Sequence, residues 1–278
     1  MKILHTADWH LGQTFYEYDR REEHFHFLEW LKQQIKQHEI DVLLIAGDVF
    51  DSPNPSAESQ RVYYRFLREV TSENPSLQIV IIAGNHDSAA RLEAPNPLLE
   101  DMNIIVRGTV RRNAEGDIDL QHFIVPLYTE GKVTAYCLAV PYLRQGDYPS
   151  AENYSKGVQQ LYEQLFNKVK EKGKPVVAMG HLQATGSEIS EDDRSERTVI
   201  GGLECVSPDA FDEAITYTAL GHLHRSQRVS HRDNVRYSGT PMPMSFAERN
   251  NTSGVVMITI DAEGTDINKL AFEPLAGL

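Results

Sequence analysis

Only two cysteines occur in 278 residues, Cys137 and Cys205, and they lie far apart with no CxxC spacing. That scarcity argues against both a disulfide framework and a zinc–thiolate site. Long apolar runs are missing too: no stretch approaches the roughly 20 residues a membrane span needs. The opening MKILHTAD reads as a strand that carries candidate ligands, not as a signal peptide, so the cytoplasm is the expected compartment. Positive charge is in deficit, with 27 Lys and Arg against 40 Asp and Glu and a formal net charge of −13. Affinity for a phosphate backbone rests on Lys and Arg, so tight non-specific nucleic-acid binding by this chain alone is not expected. No internal repeat or low-complexity linker divides the chain, and residues 1–278 read as one domain. Its 41% hydrophobic content is enough to bury a sizeable core.

What the sequence does have is a repeated device. Four apolar runs end in glycine and then a polar, metal-seeking residue: VLLIAG before Asp48, IVIIAG before Asn85-His86, VVAMG before His181, and YTALG before His222-Leu223-His224. A fifth run, KILHTA, ends in Asp8-Trp9-His10. Each reads as a buried strand followed by a sharp turn. Glycine suits such turns because it takes positive φ and lets backbones approach closely. If the five strands share one core, their ends bring two Asp, one Asn and five His together, far too polar a set for packing. A metal site is the reading.

Around these turns the chain alternates strand and helix. Strand 2–7 precedes a helical stretch from about Arg20 to Gln37, with Phe25, Leu28, Leu31 and Ile35 at helical spacing. Strand 42–46, the turn SPNPS, a helix near Ala57–Val70 with Ser56 as N-cap, strand 78–83 and a short helical piece near Ala94–Met102 follow. This βαβαβ rhythm predicts a mostly parallel sheet with helices on its faces. Strands are expected near 104–107, 121–126, 135–140, 175–179 and 215–220, with a helix near Tyr154–Lys172. Short runs near 226–230, 235–238, 254–260 and 267–273 suggest a meander closing a second sheet. The acidic stretch SEISEDDRSER (187–197) reads as a solvated loop. His5, His24, His26, His38, His122 and His231 fall outside the glycine-ended turns and are read as core or surface histidines, and Cys205 as a small buried hydrophobe.

Taken in order, D-x-H, G-D, G-N-H-D, G-H and G-H-x-H resemble the motif series of the calcineurin-type metallophosphoesterases. The stretches ILHTADWHLGQTFY, IAGDVFDSPNPS, AGNHDS, ALGHLHRSQ and YSGTPMPMSF are similar to one branch, the nuclease subunits that act with an SMC-like ATPase in DNA repair and recombination. The resemblance implies an α/β fold, a two-sheet β-sandwich flanked by helices. It implies two divalent metal ions, Mn²⁺ by the family's habit, bridged by Asp48. Asp8, His10 and His224 would complete one ion's ligands, and Asn85, His181 and His222 the other's. Imidazole with hard oxygen and no thiolate suits such metals. His86 is implied as the catalytic residue that orients the phosphate and assists the leaving oxygen, and Asp87 as an anchor behind the ligands. Asp51 is read as structural.

The implied activity is a Mn²⁺-dependent double-strand exonuclease and single-strand or hairpin endonuclease on DNA. The implied partners are the SMC-like ATPase and a second copy of the chain. That homodimer would form through the helix near 57–70, whose Val62, Tyr63, Phe66, Leu67 and Val70 look more apolar than one packed face needs, and the piece near 94–102. A simple core helix is the equal alternative for that stripe, and the resemblance favours the dimer. Relatives continue into a DNA-contacting cap domain and an ATPase-binding tail, which this sequence is not expected to include. Two other readings stay open: a protein phosphatase or small-molecule phosphodiesterase of the same fold, and a non-catalytic scaffold. GDVFDSP and GNHDS, in place of an arginine-glycine after GD and a GNHE, point away from protein phosphatases.

Overall fold

The computed structural model describes residues 1–187 and 205–275. Apart from Ser187, the acidic stretch expected to be a solvated loop lies outside them. In chain order the strands are β1 (Lys2–Thr6), β2 (Thr14–Phe15), β3 (Tyr18–Asp19), β4 (Val42–Ala46), β5 (Gln78–Ile82), β6 (Ile104–Arg107) and β7 (Ile124–Thr129). They continue with β8 (Lys132–Ala139), β9 (Val176–His181), β10 (Tyr217–Gly221), β11 (Gln227–Val229), β12 (Arg232–Tyr237), β13 (Gly254–Ile260) and β14 (Thr265–Ala271). The helices are α1 (Arg21–His38), α2 (Ala57–Glu73), α3 (Ala89–Glu93), α4 (Asn96–Leu99), α5 (Leu120–Phe123) and α6 (Tyr154–Val169).

Two six-stranded sheets form, ordered β14-β13-β1-β4-β5-β6 and β11-β12-β10-β9-β8-β7, with β2 and β3 as a separate hairpin. Strands β1, β4, β5 and β6 run parallel, as do β8, β9, β10 and β12. The expected two-sheet sandwich flanked by helices is therefore observed. Alternation along each strand explains why these runs are continuously apolar. Ile3, Val42, Leu44, Val80 and Ile82 point between the sheets and meet Val125, Cys137, Val177 and Ala219. Their neighbours Leu4, Leu43, Ile45, Ile79 and Ile81 point the other way, onto Phe27, Leu31 and Ile35 of α1 and Val62, Phe66 and Val70 of α2. A strand covered on both faces has no position at which a polar side chain is favoured. The opposite face of the second sheet takes Val158, Leu161 and Leu165 of α6.

Four expectations are corrected. The runs at 254–260 and 267–273 do not close the second sheet; β13 pairs antiparallel with β1 and carries β14 onto the first. Without β13, the largely buried β1 would be a bare sheet edge, the arrangement most prone to mispairing. Residues 121–126 are not all strand: Asp119 caps the short helix α5 by accepting from the Gln121 amide at 3.1 Å, and β7 starts at Ile124. The helical piece near 94–102 is not continuous: α3 lies before it and ends at Glu93, and α4 with a 3₁₀ turn at Glu100–Met102 follows a break where Pro95 and Pro97 remove backbone donors. Finally, Val62, Tyr63, Phe66, Leu67 and Val70 are all buried in the chain's own core, so that stripe leaves nothing over for a partner. Ser56 does cap α2, its hydroxyl accepting from the Ser59 amide at 3.0 Å.

Candidate metal centre

Strands β1, β4, β5, β9 and β10 deliver their C-terminal ends to one place, where ligands commonly bind in α/β sheets. The turns after them are laced together. The Asp8 amide donates to Gly47 O at 3.0 Å and the His10 amide to Asp48 O at 3.0 Å. The His222 amide donates to Asp8 Oδ1 at 3.0 Å, joining the two sheets, and the His86 amide to Asp48 Oδ1 at 2.9 Å. Asp8, His10, Asp48 and His222 all adopt positive φ, at 55°, 46°, 49° and 97°. Left-handed backbone is unfavourable for non-glycine residues and gathers where surrounding structure imposes it at working sites. Of the glycines before these turns, Gly47 has φ +90°, whereas Gly84 and Gly221 are required by proximity. A Cβ on Gly84 would lie 2.1 Å from Asp48 Oδ1, and one on Gly221 would lie 2.0 Å from Ala46 O.

Donor atoms of Asp8, His10 and His224 lie within 4.8 Å of one another, and so do those of Asp8, Asp48 and His181. Asn85 Oδ1 stands 2.9 Å from His181 Nε2 and 3.0 Å from His222 Nδ1. All seven residues expected as ligands are thus brought together. Asp48 Oδ2 sits between the two halves, 3.9 Å from His10 Nε2 and 3.2 Å from His181 Nε2. His86 is adjacent: its donor atoms fall within 4.8 Å of those of His10 and Asp48, its ring lies edge-on to His10 at 4.8 Å, and its Nδ1 is 2.9 Å from Asp51 O.

Two observations fit this pocket to a cation. Asp8 Oδ2, His10 Nε2 and Asp48 Oδ2 are fully buried yet make no hydrogen bond, which is costly for polar atoms unless something else satisfies them. The charges are also unbalanced. Burial pushes the Asp8 carboxyl up to about 6. At Asp48 burial is outweighed by the imidazoles of His181, His10 and His86, and the carboxyl ends well below the usual range. Burial disfavours the charged form of His181, but Asp48 and Asp8 overcome it and raise that imidazole above its ordinary value.

Groups behind the pocket hold it in shape. Asp87 accepts from the amides of Val49 at 3.2 Å, Phe50 at 3.0 Å and Gly84 at 2.9 Å, binding the second turn to the third. It therefore holds the turns. His181 Nδ1 faces Ala46 O at 2.8 Å. Asp51, read as structural, places its Oδ1 3.4 Å from His10 Nδ1 while its carbonyl meets His86. Sequence reasoning missed Glu248, whose buried Oε1 lies 2.8 Å from His224 Nδ1. A carboxylate 24 residues downstream, on a single 3₁₀ turn, carries no periodic signal.

The remaining histidines lie elsewhere. His5 Nδ1 bonds Tyr217 Oη at 2.8 Å in the core, His24 meets Arg20 O and Trp9 O, His26 meets Glu273 O, and His122 lies 3.6 Å from Glu93. His38 is half-buried at the end of α1 and His231 is exposed. Cys205 is half-buried, not the enclosed hydrophobe expected.

The family model of the calcineurin-like phosphoesterases matches residues 1–226. Among curated proteins, the SbcD component of nuclease SbcCD from Rhodobacter capsulatus is 41% identical over 272 residues, covering 94% of this chain and 66% of that protein. Its counterpart from Escherichia coli K12 is 33% identical over 273 residues, covering 93% and 65%. The chain thus spans just under two thirds of the length of these relatives. A solved structure described as GAP50, the anchor in the inner membrane complex of Plasmodium, superimposes with a TM-score of 0.54 at 10% identity, covering 98% of this chain and 84% of that one. That is a likeness of fold alone. With the family match running through all five turns, the chain belongs to the calcineurin-like phosphoesterase family.

Proposed function

We propose that this chain is the catalytic part of a DNA-cleaving phosphodiesterase that works with two divalent metal ions, Mn²⁺ foremost. One observation carries the reading: seven donor residues from five strand ends converge with Asp48 Oδ2 between the His10 and His181 sides. Asp8, His10 and His224 would hold one ion, and Asn85, His181 and His222 the other, with Asp48 shared. A carboxylate has two oxygens and can bridge where an amide or imidazole cannot easily do so. Bound ions of this kind supply an activated water near neutral pH and a clamp on the non-bridging phosphate oxygens. The chain's own contribution is positional. Asp87 keeps the Asp48 and Asn85 turns in register, and Ala46 O fixes the His181 ring. His86, pinned at its amide by Asp48 and at Nδ1 by Asp51 O, stands beside the pocket to orient the phosphate and assist departure of the leaving oxygen.

A nucleic-acid substrate and a partner subunit are supported by the two relatives, each named as one subunit of a nuclease; DNA as that substrate and an SMC-like ATPase as that partner complete the reading. The net charge of −13 agrees with a need for a partner that supplies grip on the duplex. A second copy is part of the same reading, but with the α2 stripe buried in the core it would dock over α4, where Leu98, 76% exposed, is an apolar contact. Action in the cytoplasm is part of the same reading; among the described residues no helix is long and apolar enough to cross a membrane.

The test is cleavage of linear duplex, hairpin and single-stranded DNA with Mn²⁺ by the chain, with and without a co-expressed ATPase partner, alongside bis-p-nitrophenyl phosphate. Cleavage of DNA that needs Mn²⁺ is the expected result. Hydrolysis of the small ester with every DNA left intact would instead favour a small-molecule phosphodiesterase.

A further inference from the structure

Glu248 is buried at the end of a single 3₁₀ turn, Phe246–Glu248, and its two carboxylate oxygens serve two different N–H groups. Oε2 accepts from the Met244 amide at 2.8 Å, and Oε1 lies 2.8 Å from His224 Nδ1. The first contact has only one possible sense, because a backbone amide cannot accept. The second fixes the imidazole: a carboxylate oxygen accepts, so Nδ1 must carry the proton. A neutral ring protonated at Nδ1 has its lone pair on Nε2, and the His224 ring packs against His10 at 5.2 Å with its donor atoms near Asp8.

We propose that Glu248 is a positioning residue that locks His224 in its Nδ1–H tautomer and so presents Nε2 as a donor to a divalent cation held with Asp8 and His10. The inference rests on the metal-centre reading above. His181 receives comparable orientation from the carbonyl of Ala46, which no substitution removes. For His224 the orienting group is a side chain, and histidine ligands depend on such partners by about 10–100-fold in metal affinity.

Glu248 could instead serve only to tie down the loop through Met244, and Glu248→Gln separates the two roles. The glutamine has one acceptor oxygen and one NH₂ group. Its oxygen must stay with the Met244 amide, since turning the NH₂ there would set donor against donor. The NH₂ then faces His224 Nδ1, and the ring can satisfy it only by moving its proton to Nε2, which blocks the lone pair the metal needs. Loop anchoring survives while the tautomer inverts.

The experiment uses the metal-free chain labelled with ¹⁵N, long-range ¹H–¹⁵N correlation of the imidazoles with His224 assigned by H224Q, and calorimetric titration with Mn²⁺. The parent protein is expected to show His224 as the Nδ1–H tautomer. E248Q is expected to show Nε2–H, an unchanged urea midpoint, and Mn²⁺ affinity reduced about 10–100-fold at one site. An Nδ1–H ring in E248Q, or unaltered Mn²⁺ affinity, would overturn the proposal. An Nε2–H ring in the parent protein would do so even if E248Q failed to fold. If the parent protein binds no Mn²⁺ at all, the metal-centre reading fails, and the tautomer comparison still decides what Glu248 does.

Discussion

The backbone amide of His86 donates to Oδ1 of Asp48 at 2.9 Å. The residue proposed to act on the phosphate is therefore tied, through its main chain, to the carboxylate that stands between the two halves of the donor set. A main-chain bond of this kind survives any change to the His86 ring. Replacing His86 with Ser is expected to leave two Mn²⁺ ions bound while cleavage falls by roughly 10²–10⁴-fold, the usual contribution of a positioned proton-transfer group. Metal analysis of the purified variant checks this: an ion lost with the ring would make His86 a ligand, as its nearness to His10 and Asp48 also permits.

Asp87 joins the turns that present Asp48 and Asn85 by accepting three amides. Burial, then the neighbouring Asp48 charge, raise its carboxyl to about 6 despite these bonds. An asparagine keeps one acceptor oxygen and turns an NH₂ against an N–H. Asp87→Asn is expected to destabilise the fold by about 1–3 kcal/mol, the penalty for a buried donor left unsatisfied, and to weaken metal binding as the turns separate. Urea denaturation and Mn²⁺ titration measure the two effects independently.

Gly84 lies directly over Asp48. Because an added Cβ would meet Asp48 Oδ1 at 2.1 Å and its backbone nitrogen at 2.3 Å, Gly84→Ala must displace either the carboxylate or the turn. Activity is expected to fall more than about 10²-fold, in keeping with the effect of an ångström-scale displacement at a catalytic site. A variant with the activity of the parent would show that the Asp48 position is not critical.

His5 and Tyr217 link the sheets inside the core, Nδ1 to Oη at 2.8 Å. Burial drives the His5 pKa down to about 3, against about 6.5 in the unfolded chain. Between those values the unfolded state binds a proton that the folded state does not, so stability increases with pH and is lost as pH falls through about 6.5. Going from about pH 7 to about pH 5, this one group removes about 2 kcal/mol. A His5→Gln variant is expected to show that much less loss of unfolding free energy over the same interval; equal losses in the two proteins would mean that His5 titrates normally.

That the four glycine-ended strands and KILHTA would bring their polar ends to one place was legible because each is a local pattern: a largely apolar run, then a turn, then a polar side chain. The division of those side chains into ligands and His86 came from the family resemblance. The helices α1, α2 and α6 followed from apolar spacing in the same way. What the sequence left hidden depends on distant partners. Nothing in GVVMITI says that it will pair with β1 instead of extending the second sheet; the open edge of β1 decides that. The positive φ at Asp8, His10, Asp48 and His222 is imposed by amide contacts between turns. Glu248 becomes informative only when the chain brings it to His224. The excess apolar stripe on α2 looked like an interface because its own core, filled by Tyr63 and Phe66 against Phe50 and Trp9, was not yet visible.

The central claim, two divalent ions sharing Asp48, is tested most directly by electron paramagnetic resonance during Mn²⁺ titration of the metal-free chain, with Asp48→Asn as comparison. Two Mn²⁺ per chain with an exchange-coupled spectrum are expected for the parent protein, and loss of the coupling for the variant, whose amide cannot easily bridge. A single uncoupled Mn²⁺ at saturation, or a coupled pair that persists without the Asp48 carboxylate, would contradict it.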